Sequence, residues 1–200
     1  MKKNVIAASL VICAACFAWL QNSSAEKEPA AVDFRDFVCD GNFFTAKIPG
    51  TWPKSESITA GRQYREYGVD LKGPRNKDGA YSRISLTYYA ADHRQFKTMD
   101  KYILLNSIPD SSMPIRGRKY GPVRDVTVGG RKGKMFEIQK FDFIPPYAVK
   151  PKKVAVLVKK VVLPGKEGGF YVLEYHAPLD IAEANLKFFD KVLANFKPGK

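Results

Sequence analysis

The chain has 200 residues, of which 45% are hydrophobic and 12% aromatic, and its formal net charge is +13 at pH 7. This composition excludes an intrinsically disordered chain, and the length is sufficient for one domain with a core of its own. The positive charge does not predict a fold, but it favours anionic partners.

The first 25 residues contain, in order, the three parts of a secretory signal peptide. Lys2 and Lys3 precede an apolar run over residues 5–20, and the small residues 23–25 follow it. That run of 16 residues is short for a permanent membrane-spanning helix, which needs roughly 18 or more. We therefore interpret residues 1–25 as a cleaved signal peptide, and we expect an exported protein, periplasmic or extracellular, that begins at Glu26.

A lipid anchor is an alternative to simple cleavage. Ala14 and Ala15 precede Cys16, as in a bacterial lipoprotein cleavage site. However, Cys13 stands where such sites usually have leucine, and Cys16 lies inside the apolar run rather than at its end. An uncleaved N-terminal anchor is the third alternative. We expect the membrane as a partner only if Cys16 is lipidated.

The charge of the mature chain indicates which partners to expect. Lys2 and Lys3 account for two of the thirteen net positive charges, so residues 26–200 carry +11. For an exported protein we expect no nucleic acid, but an acidic protein surface or an anionic envelope component such as lipid headgroups or acidic polysaccharide. The alternative interpretation is that the excess of basic residues only keeps an exported protein soluble.

Cys39 is the only cysteine after residue 25, so no disulfide can form within the mature chain. A single cysteine in an exported protein is either buried or pairs with another chain. Its neighbours Phe37 and Val38 favour burial, because a free thiol behaves as a small hydrophobic group.

The hydrophobic pattern predicts one α+β domain over residues 34–198, after a flexible linker over residues 26–33. The order is three strands, a helix, four strands and a helix. We expect the last four strands to form an antiparallel meander, with both helices packed on a sheet of about seven strands. The predicted strands are 42–48, 63–71, 81–90, 123–128, 135–143, 154–163 and 170–177.

Two of these strands have distinctive patterns. Residues 154–163 are almost wholly apolar, which places them centrally in the sheet. In residues 135–143 the apolar positions change parity, from Phe136 and Ile138 to Phe141 and Phe143. A bulge near residues 139–140 would return all four side chains to one inward face.

Both predicted helices begin with a capping-box spacing. Asp92 is followed three residues later by Gln95, and that helix ends before Pro109. Asp180 and Glu183 have the same spacing before a helix over residues 181–196, whose predicted buried face includes Ala184 and Phe189. Residues 107–121 are predicted to form an irregular loop.

The residues suited to catalysis are few. We expect His93, in the first turn of a predicted helix, to be a surface residue. His176 follows Glu174 by two positions, so both side chains share one strand face and could transfer a proton, although a local ion pair is the more common arrangement. Nothing around Cys39 resembles a nucleophile motif. The sequence therefore predicts no enzyme.

Metal and cofactor sites are not predicted either. No cysteine pair remains after residue 25, and no two histidines have ligand spacing. Asp33, Asp36 and Asp40 lack the glycine and final glutamate of a calcium loop. The glycine-rich segment 129–133 is typical of a hairpin turn rather than an anion-binding loop.

The clusters of basic residues are the only sequence pattern that suggests a function. They cluster in the irregular loop, in the hairpin at residues 129–134 and just before residue 154. If these loops meet at one end of the sheet, they form a positive patch, although a basic run is more often only a solvated face. The candidate binding residues are Arg116, Arg118, Lys119, Arg131, Lys132 and Lys134, with Lys150, Lys152 and Lys153 in the third loop.

Three stretches resemble PsbP-like and DcrB-like proteins. Residues 43–52 resemble their opening strand and Pro-Gly-x-Trp turn, residues 126–130 with 136–138 their middle hairpin, and the closing hairpin and helix, to residue 196, their ending. The resemblance covers most of residues 37–198, but residues 107–121 and the Pro145–Pro146 segment have no counterpart. It implies an α/β/α sandwich with an antiparallel sheet flanked by helices.

Members of that family are exported or lumenal accessory proteins, including photosystem assembly subunits, a periplasmic lipoprotein and secretion chaperones. They are typically not enzymes. The resemblance assigns no functional residue. We therefore expect a non-enzymatic periplasmic or secreted accessory protein that binds an envelope component or a partner protein. The alternatives are a hydrolase-type enzyme with a cleft near Glu174 and His176, and a purely structural envelope protein.

Overall fold

The computed structural model describes residues 32–56, 58–109 and 117–199. The predicted signal peptide and residues 26–31 of the predicted linker lie outside these ranges. The described helices are α1 (Ile58–Tyr64), α2 (Met99–Ser107) and α3 (Leu179–Asn195). The described strands are β1 (Phe34–Val38), β2 (Phe44–Pro49), β3 (Lys54–Ser55), β4 (Glu66–Arg75), β5 (Tyr81–Tyr89), β6 (Lys119–Tyr120), β7 (Arg124–Val128), β8 (Arg131–Ile144), β9 (Lys152–Pro164), β10 (Phe170–Pro178) and β11 (Lys197–Pro198).

A large antiparallel sheet of eight strands organises the molecule. Its order is β3-β4-β5-β10-β9-β8-β6, and β7 also pairs with β8, while β1, β2 and β11 form a separate sheet of three. The predicted α+β class is therefore confirmed. So is the predicted meander, because β7, β8, β9 and β10 pair consecutively before β10 also pairs with β5.

The two faces of the large sheet pack against different helices. We call them the α3 face and the α2 face. The α3 face carries an extended apolar cluster that includes Leu71, Ile84, Leu86, Val161, Leu163, Leu173 and Tyr175, with Phe189 and Val192 of α3. On the α2 face a smaller cluster contains Phe136, Ile138, Val158, Phe170 and Val172, with Tyr102 of α2.

Strand β9 confirms the predicted central position of residues 154–163. It lies between β8 and β10, and Val161, Val162 and Leu163 are all fully buried. Consecutive burial means that apolar layers cover both sides of the strand, which is why its sequence is almost continuously apolar.

The N-terminal elements depart from the predicted strands. Helix α1 occupies Ile58–Tyr64, so β4 begins only at Glu66 and extends to Arg75. The predicted first strand corresponds to β2, which belongs to the small sheet, and its partner β1 was not predicted. After β2, the N–H of Trp52 donates to the carbonyl oxygen of Pro49 at 3.2 Å, and the indole packs edge-on against Phe188 of α3.

The predicted start of the first long helix is wrong. Helix α2 begins at Met99, and its N-cap is Thr98, whose Oγ1 accepts a hydrogen bond from the N–H of Lys101 at 3.2 Å. Asp92 instead binds Arg65 at 2.9 Å, and Nδ1 of His93 accepts from the N–H of Phe96 at 3.0 Å. These contacts hold residues 92–97 as a loop, because Asp92, which would cap a helix there, is already engaged by Arg65.

The predicted capping box of the last helix is also wrong. Helix α3 spans Leu179–Asn195, its N-cap is Pro178, and no side chain caps it. The Asp180 carboxylate accepts from Nδ2 of Asn76 at 3.2 and 3.3 Å, so it joins the helix to the turn after β4. The buried face contains Ala182, Asn185, Phe189 and Val192, whereas Ala184, which was predicted on that face, is exposed.

The predicted bulge in β8 is wrong as well. Pairing between β8 and β9 continues in one register from Lys134 opposite Val162 to Ile144 opposite Lys152. Without a bulge, Phe141 and Phe143 stay on the face opposite to that of Phe136 and Ile138. They lie beyond the reach of α3, and they are 38% and 52% exposed.

Candidate functional site

The long hairpin of β8 and β9 carries the most unusual surface of the described chain. Its outer part, residues 140–155, comprises the end of β8, the connecting loop and the start of β9, and we call it the distal arm. Asp142 lies opposite Val154 on β9, and His176 of β10 lies opposite Val158. Nε2 of His176 is nevertheless only 2.8 Å from Oδ2 of Asp142. Their contact therefore requires the distal arm to coil toward the α2 face.

Two further contacts hold the distal arm against the body of the sheet. Nζ of Lys152 lies 3.3 Å from Oδ1 of Asp78, in the turn between β4 and β5. Ala80, at the end of that turn, belongs to the same buried cluster as Val154 and Val156. The distal arm is thus fixed by apolar packing and by two polar contacts.

The carboxylate of Asp142 is stabilised as an anion. His176 donates a hydrogen bond to it, and Nζ of Lys140 lies 3.2 Å from its Oδ1. Both partners keep the pKa of Asp142 well below its usual range, against the opposing effect of partial burial. The other ring nitrogen of His176, Nδ1, is buried and has no hydrogen-bond partner in the described chain.

Lys160 forms a second polar centre on the α2 face. Its Nζ lies 3.0 Å from Oε2 of Glu174 and donates to Oη of Tyr102 at 2.9 Å and to Oδ1 of Asn106 at 3.2 Å. The side chain is only 12% exposed. Three acceptors satisfy the three donors of the ammonium group, so this charge can be buried beneath α2.

Glu174 and His176 therefore share a face, as predicted, but they do not act on each other. Glu174 is the partner of Lys160, and His176 is the partner of Asp142. The two side chains belong to separate polar contacts. Asp142 joins the distal arm to the sheet through His176, whereas Lys160 joins α2 to the sheet through its hydrogen bonds to Tyr102 and Asn106.

The prediction that His93 lies at the surface is wrong. Its ring is buried and stacks on Phe96, while Tyr89 packs against it edge-on. Since Nδ1 accepts from the N–H of Phe96, the proton of a neutral ring is on Nε2, which lies 3.7 Å from Oε2 of Glu66. His93 thus holds the loop before α2 in place.

Arg131, one of the candidate binding residues, serves the fold. Nη1 donates to the carbonyl oxygen of Pro164 at 2.8 Å, and Nη2 donates to that of Gly199 at 3.3 Å. The guanidinium also lies over the ring of Tyr171, 5.7 Å from its centroid. These contacts join the β7–β8 turn to the end of β9 and to the C-terminal segment.

The other candidate basic residues do not meet at one point. Lys132 and Lys134 project from the same face of β8, but Nζ of Lys134 lies 2.8 Å from Oδ1 of Asp125. Lys119 lies opposite Gln139, seven positions beyond Lys132, which is about 23 Å along the strand. Arg118 precedes Lys119 and is exposed, and Arg116 lies outside the described residues.

The third basic loop lies at the opposite end of β8 from the β7–β8 turn. Lys150, Lys152 and Lys153 are exposed on the distal arm, and Nζ of Lys153 lies 3.9 Å from the centroid of the Phe141 ring. The fourteen residues of β8 separate this loop from the turn. The three basic loops are therefore distributed along one edge of the sheet.

The outward side of the distal arm is apolar. Tyr147 and Val149, in the loop, are 98% and 99% exposed, and Phe143 and Phe141 precede them on the outer side of β8. Gly117, at a φ of +82°, packs against Phe141, and an added Cβ would lie 2.6 Å from Cε2 of that ring. Sequence reasoning missed this surface because it used the parity change to predict a bulge, although the run of prolines, apolar residues and lysines at 143–153 was visible.

A shallow depression lies on the α2 face between α1 and β4. It measures about 230 Å³, and Tyr64, Glu66, Asp70 and Thr87 contribute to its lining. That volume is below the range of roughly 300–1,000 Å³ typical of ligand pockets. The Asp70 carboxylate also accepts a hydrogen bond from Ser85, so part of its hydrogen-bonding capacity is already used within the protein.

Cys39 is buried, as predicted, at 2% exposure. Burial, reinforced by Asp40 and Glu56, raises the pKa of the thiol to about 12. At neutral pH the group is therefore a thiol rather than a thiolate, and it contributes to the core as an apolar side chain.

No group of three or more His, Cys, Asp or Glu side chains is arranged to hold a metal ion in the described part of the chain. None of the described helices combines the length and the apolar character that crossing a membrane requires.

Fold and surface together define an α+β protein with an antiparallel sheet, helices on both faces and an exposed distal arm. No family model matches the chain, and no curated protein matches it either. Among solved structures, it is similar to a protein from Bacteroides thetaiotaomicron VPI-5482, with 14% identity and a TM-score of 0.47 over 83% of this chain. The match spans about half of that protein, 48% of its length.

Two other solved structures are similar over most of their own length. One is LpqN, involved in cell envelope biogenesis of Mycobacterium tuberculosis, with 14% identity, a TM-score of 0.45, and coverage of 85% of this chain and 92% of that one. The other is the cyanobacterial PsbP from Synechocystis sp. PCC 6803, with 12% identity, a TM-score of 0.46, and coverage of 84% and 93%. A PsbP is thus among the structures similar to this chain, as the sequence indicated. At such low identity the similarity concerns the fold alone.

Proposed function

We propose that this chain is an exported, non-enzymatic accessory protein that binds an envelope component or a partner protein through its distal arm. The observation that carries the proposal is the near-complete exposure of Tyr147 and Val149 beside the exposed ring of Phe143. Neighbouring exposed apolar side chains on an otherwise packed protein are typical of an interaction surface. Lysines next to this surface favour an acidic partner.

The candidate basic residues form a second, weaker contact zone in this proposal. Arg118, Lys119 and Lys132 are exposed along the β6–β8 edge, and Arg116 precedes them in the chain. Lys134 contributes less, because Asp125 neutralises it, and Arg131 mainly stabilises the hairpin. Such exposed charges speed the approach of an acidic partner more than they strengthen the final complex.

The hydrolase alternative has less support than binding. A proton-transfer pair at Glu174 and His176 would need the two groups to face one bound substrate. Instead, Lys160 and Asp142 engage them separately, beneath α2 and the distal arm. The purely structural alternative leaves the exposed tip of the distal arm without a role.

The proposed site of action rests on the interpretation of residues 1–25 as a signal peptide. Mass spectrometry of the protein recovered outside the cytoplasm should find Glu26 at its N-terminus. A diacylglyceryl group on Cys16 would instead make the protein a lipid-anchored one. A protein that is found only in the cytoplasm would contradict the proposed export.

Photo-crosslinking in the producing cell tests the binding surface. A photoreactive phenylalanine analogue at position 147 should give covalent adducts with an envelope component. The same analogue at position 187, an exposed site on α3, is the matched control and should give none. Equal labelling from both positions, or none from position 147, would contradict binding through the distal arm.

A further inference from the structure

The tip of the distal arm, residues 145–151, projects apolar side chains that no part of the described chain covers. Tyr147 and Val149 are almost completely exposed, while Ala148 between them is half-buried. The N–H of Ala148 donates to the carbonyl oxygen of Pro145 at 3.2 Å. This turn makes the tip compact and directs both apolar side chains outward.

Positive charge lies directly behind this apolar tip. Residues 143–153 contain three lysines and no acidic residue. Lys150 follows Val149 and has no salt bridge within the described residues, whereas Lys152 is paired with Asp78 and Lys153 lies over Phe141. The tip therefore combines an apolar end with a cationic base.

We propose that this tip docks the protein on an anionic lipid bilayer, with Tyr147 and Val149 inserted at the level of the headgroups. The inference rests on the proposed function and names the envelope component that the distal arm contacts. Tyrosine favours the membrane interface, because its ring is apolar and its hydroxyl remains hydrated. Lysines near an anionic bilayer each strengthen binding, by about fivefold.

A bilayer fits the tip better than a protein partner does. Stable protein interfaces bury at least roughly 1,000 Å² in total, and they require a surface of matching shape. Two projecting side chains on a narrow turn provide much less area, whereas a bilayer accepts them without a preformed pocket. The contacts of Asp142 with His176 and of Lys152 with Asp78 hold the distal arm in place, so little conformational entropy is lost on docking.

Vesicle co-sedimentation tests the proposal with the exported protein. The protein should bind vesicles of phosphatidylcholine and phosphatidylglycerol, and it should bind pure phosphatidylcholine much less. The double variant Tyr147→Ser/Val149→Ser should bind the anionic vesicles roughly tenfold or more weakly, because the inserted apolar area is lost. Lys150→Glu should also weaken binding, by about fivefold or more.

The control is a pair of exposed leucines away from the distal arm. Leu104 and Leu105 on α2 are each 58% exposed. Leu104→Ser/Leu105→Ser should leave vesicle binding unchanged. A tryptophan at position 147 should shift its emission to the blue on anionic vesicles, and one at position 105 should not. The native Trp52 is buried and provides a constant background.

Three results would overturn the inference. The first is that the wild-type protein fails to bind anionic vesicles. The second is that the serine variant at the tip binds them as well as the wild type does. The third is that the leucine control variant loses as much binding as the serine variant. If the protein does not bind vesicles but crosslinking at position 147 captures a protein, then binding through the distal arm stands and only the inference of a lipid partner is refuted. If both experiments fail, the proposed function fails with the inference.

Discussion

The α3 face and the α2 face belong to the same strands of the large sheet, but the side chains that are buried on them differ in polarity. On the α3 face, α3 covers side chains that are almost all apolar, such as Ile84, Leu86 and Leu173. The α2 face carries Lys160, Glu174 and His176 among its valines, and each of these polar side chains needs a partner when it is covered. Lys160 and Glu174 pair with each other, Tyr102 and Asn106 of α2 accept further hydrogen bonds from Lys160, and Asp142 of the distal arm pairs with His176. The polar groups of this face therefore bind the elements that cover it.

The same difference explains the exposed surface of the distal arm. Because Asp142 faces the sheet to reach His176, the alternate residues Phe141 and Phe143 must point away from it. A polar contact on the inside thus leaves an apolar surface on the outside. The comparison predicts that mutations on the α3 face reduce stability most, whereas mutations on the α2 face have smaller, charge-dependent effects.

The largest effect is expected from the α3 face. Phe189 is fully buried and stacks on Tyr175, so Phe189→Ala should lower the free energy of unfolding by about 3–5 kcal/mol. Urea denaturation measures the change. Leu105→Ala on the exposed side of α2 is the control and should change it by less than about 0.5 kcal/mol. A loss below about 1 kcal/mol for Phe189→Ala would mean that α3 is peripheral to the core.

A smaller loss is expected on the α2 face at Lys160. Lys160→Met should cost about 2 kcal/mol, because Glu174 then keeps a partly buried charge without its partner. Adding Glu174→Gln should recover part of the loss, and this coupling can be measured in a double-mutant cycle. Lys166→Met, in the exposed turn after β9, is the control and should be neutral. Purely additive losses would show that the two groups do not interact.

Because of the contact between Asp142 and His176, we expect the free energy of unfolding to depend on pH in the acid range. The pKa of Asp142 is lowered in the folded protein, so its stabilisation is complete above the unfolded value, about 4, and is lost as the pH falls toward the folded value. Asp142→Asn should therefore be less stable than wild type at pH 7, by about 1 kcal/mol.

Urea midpoints measured between pH 7 and pH 2 test this dependence. The gap between Asp142→Asn and wild type should narrow below about pH 4. Asp125→Asn removes an exposed carboxylate that is paired with Lys134, and it should show a smaller change at every pH. A gap for Asp142→Asn that stays constant through the acid range would mean that the carboxylate is not stabilised by folding.

The last prediction concerns the reactivity of Cys39, which belongs to the apolar cluster of the α3 face, and it requires no change at that residue. Its buried thiol, with a pKa raised to about 12, should not react with a thiol reagent in the native protein, and it should react at once in denaturant. A cysteine placed at the exposed position 166 is the control and should react in both conditions. Rapid native labelling of Cys39 would show that this edge of the core opens readily.

The amphipathic elements of the domain were predictable because their patterns are local. The meander of β7 to β10 and the central place of β9 follow from runs of alternating or continuous apolar residues. Both helix starts were misread because the spacing of Asp92 with Gln95, and of Asp180 with Glu183, is also compatible with other contacts. In the folded chain Asp92 binds Arg65 and Asp180 binds Asn76.

The sequence by itself determined the α+β class, the consecutive hairpins and the burial of Cys39, since these depend on periodicity and on neighbouring residues. Glu174 and Lys160 lie opposite each other in the β9–β10 hairpin, so their contact follows from the local register. The tertiary structure alone decided the partner of His176, because Asp142 lies on β8, which does not neighbour β10 in the sheet. It also decided the outward position of Phe141 and Phe143. The parity change in β8 was compatible with a bulge or with exposure, and the coil of the distal arm toward His176 selected exposure.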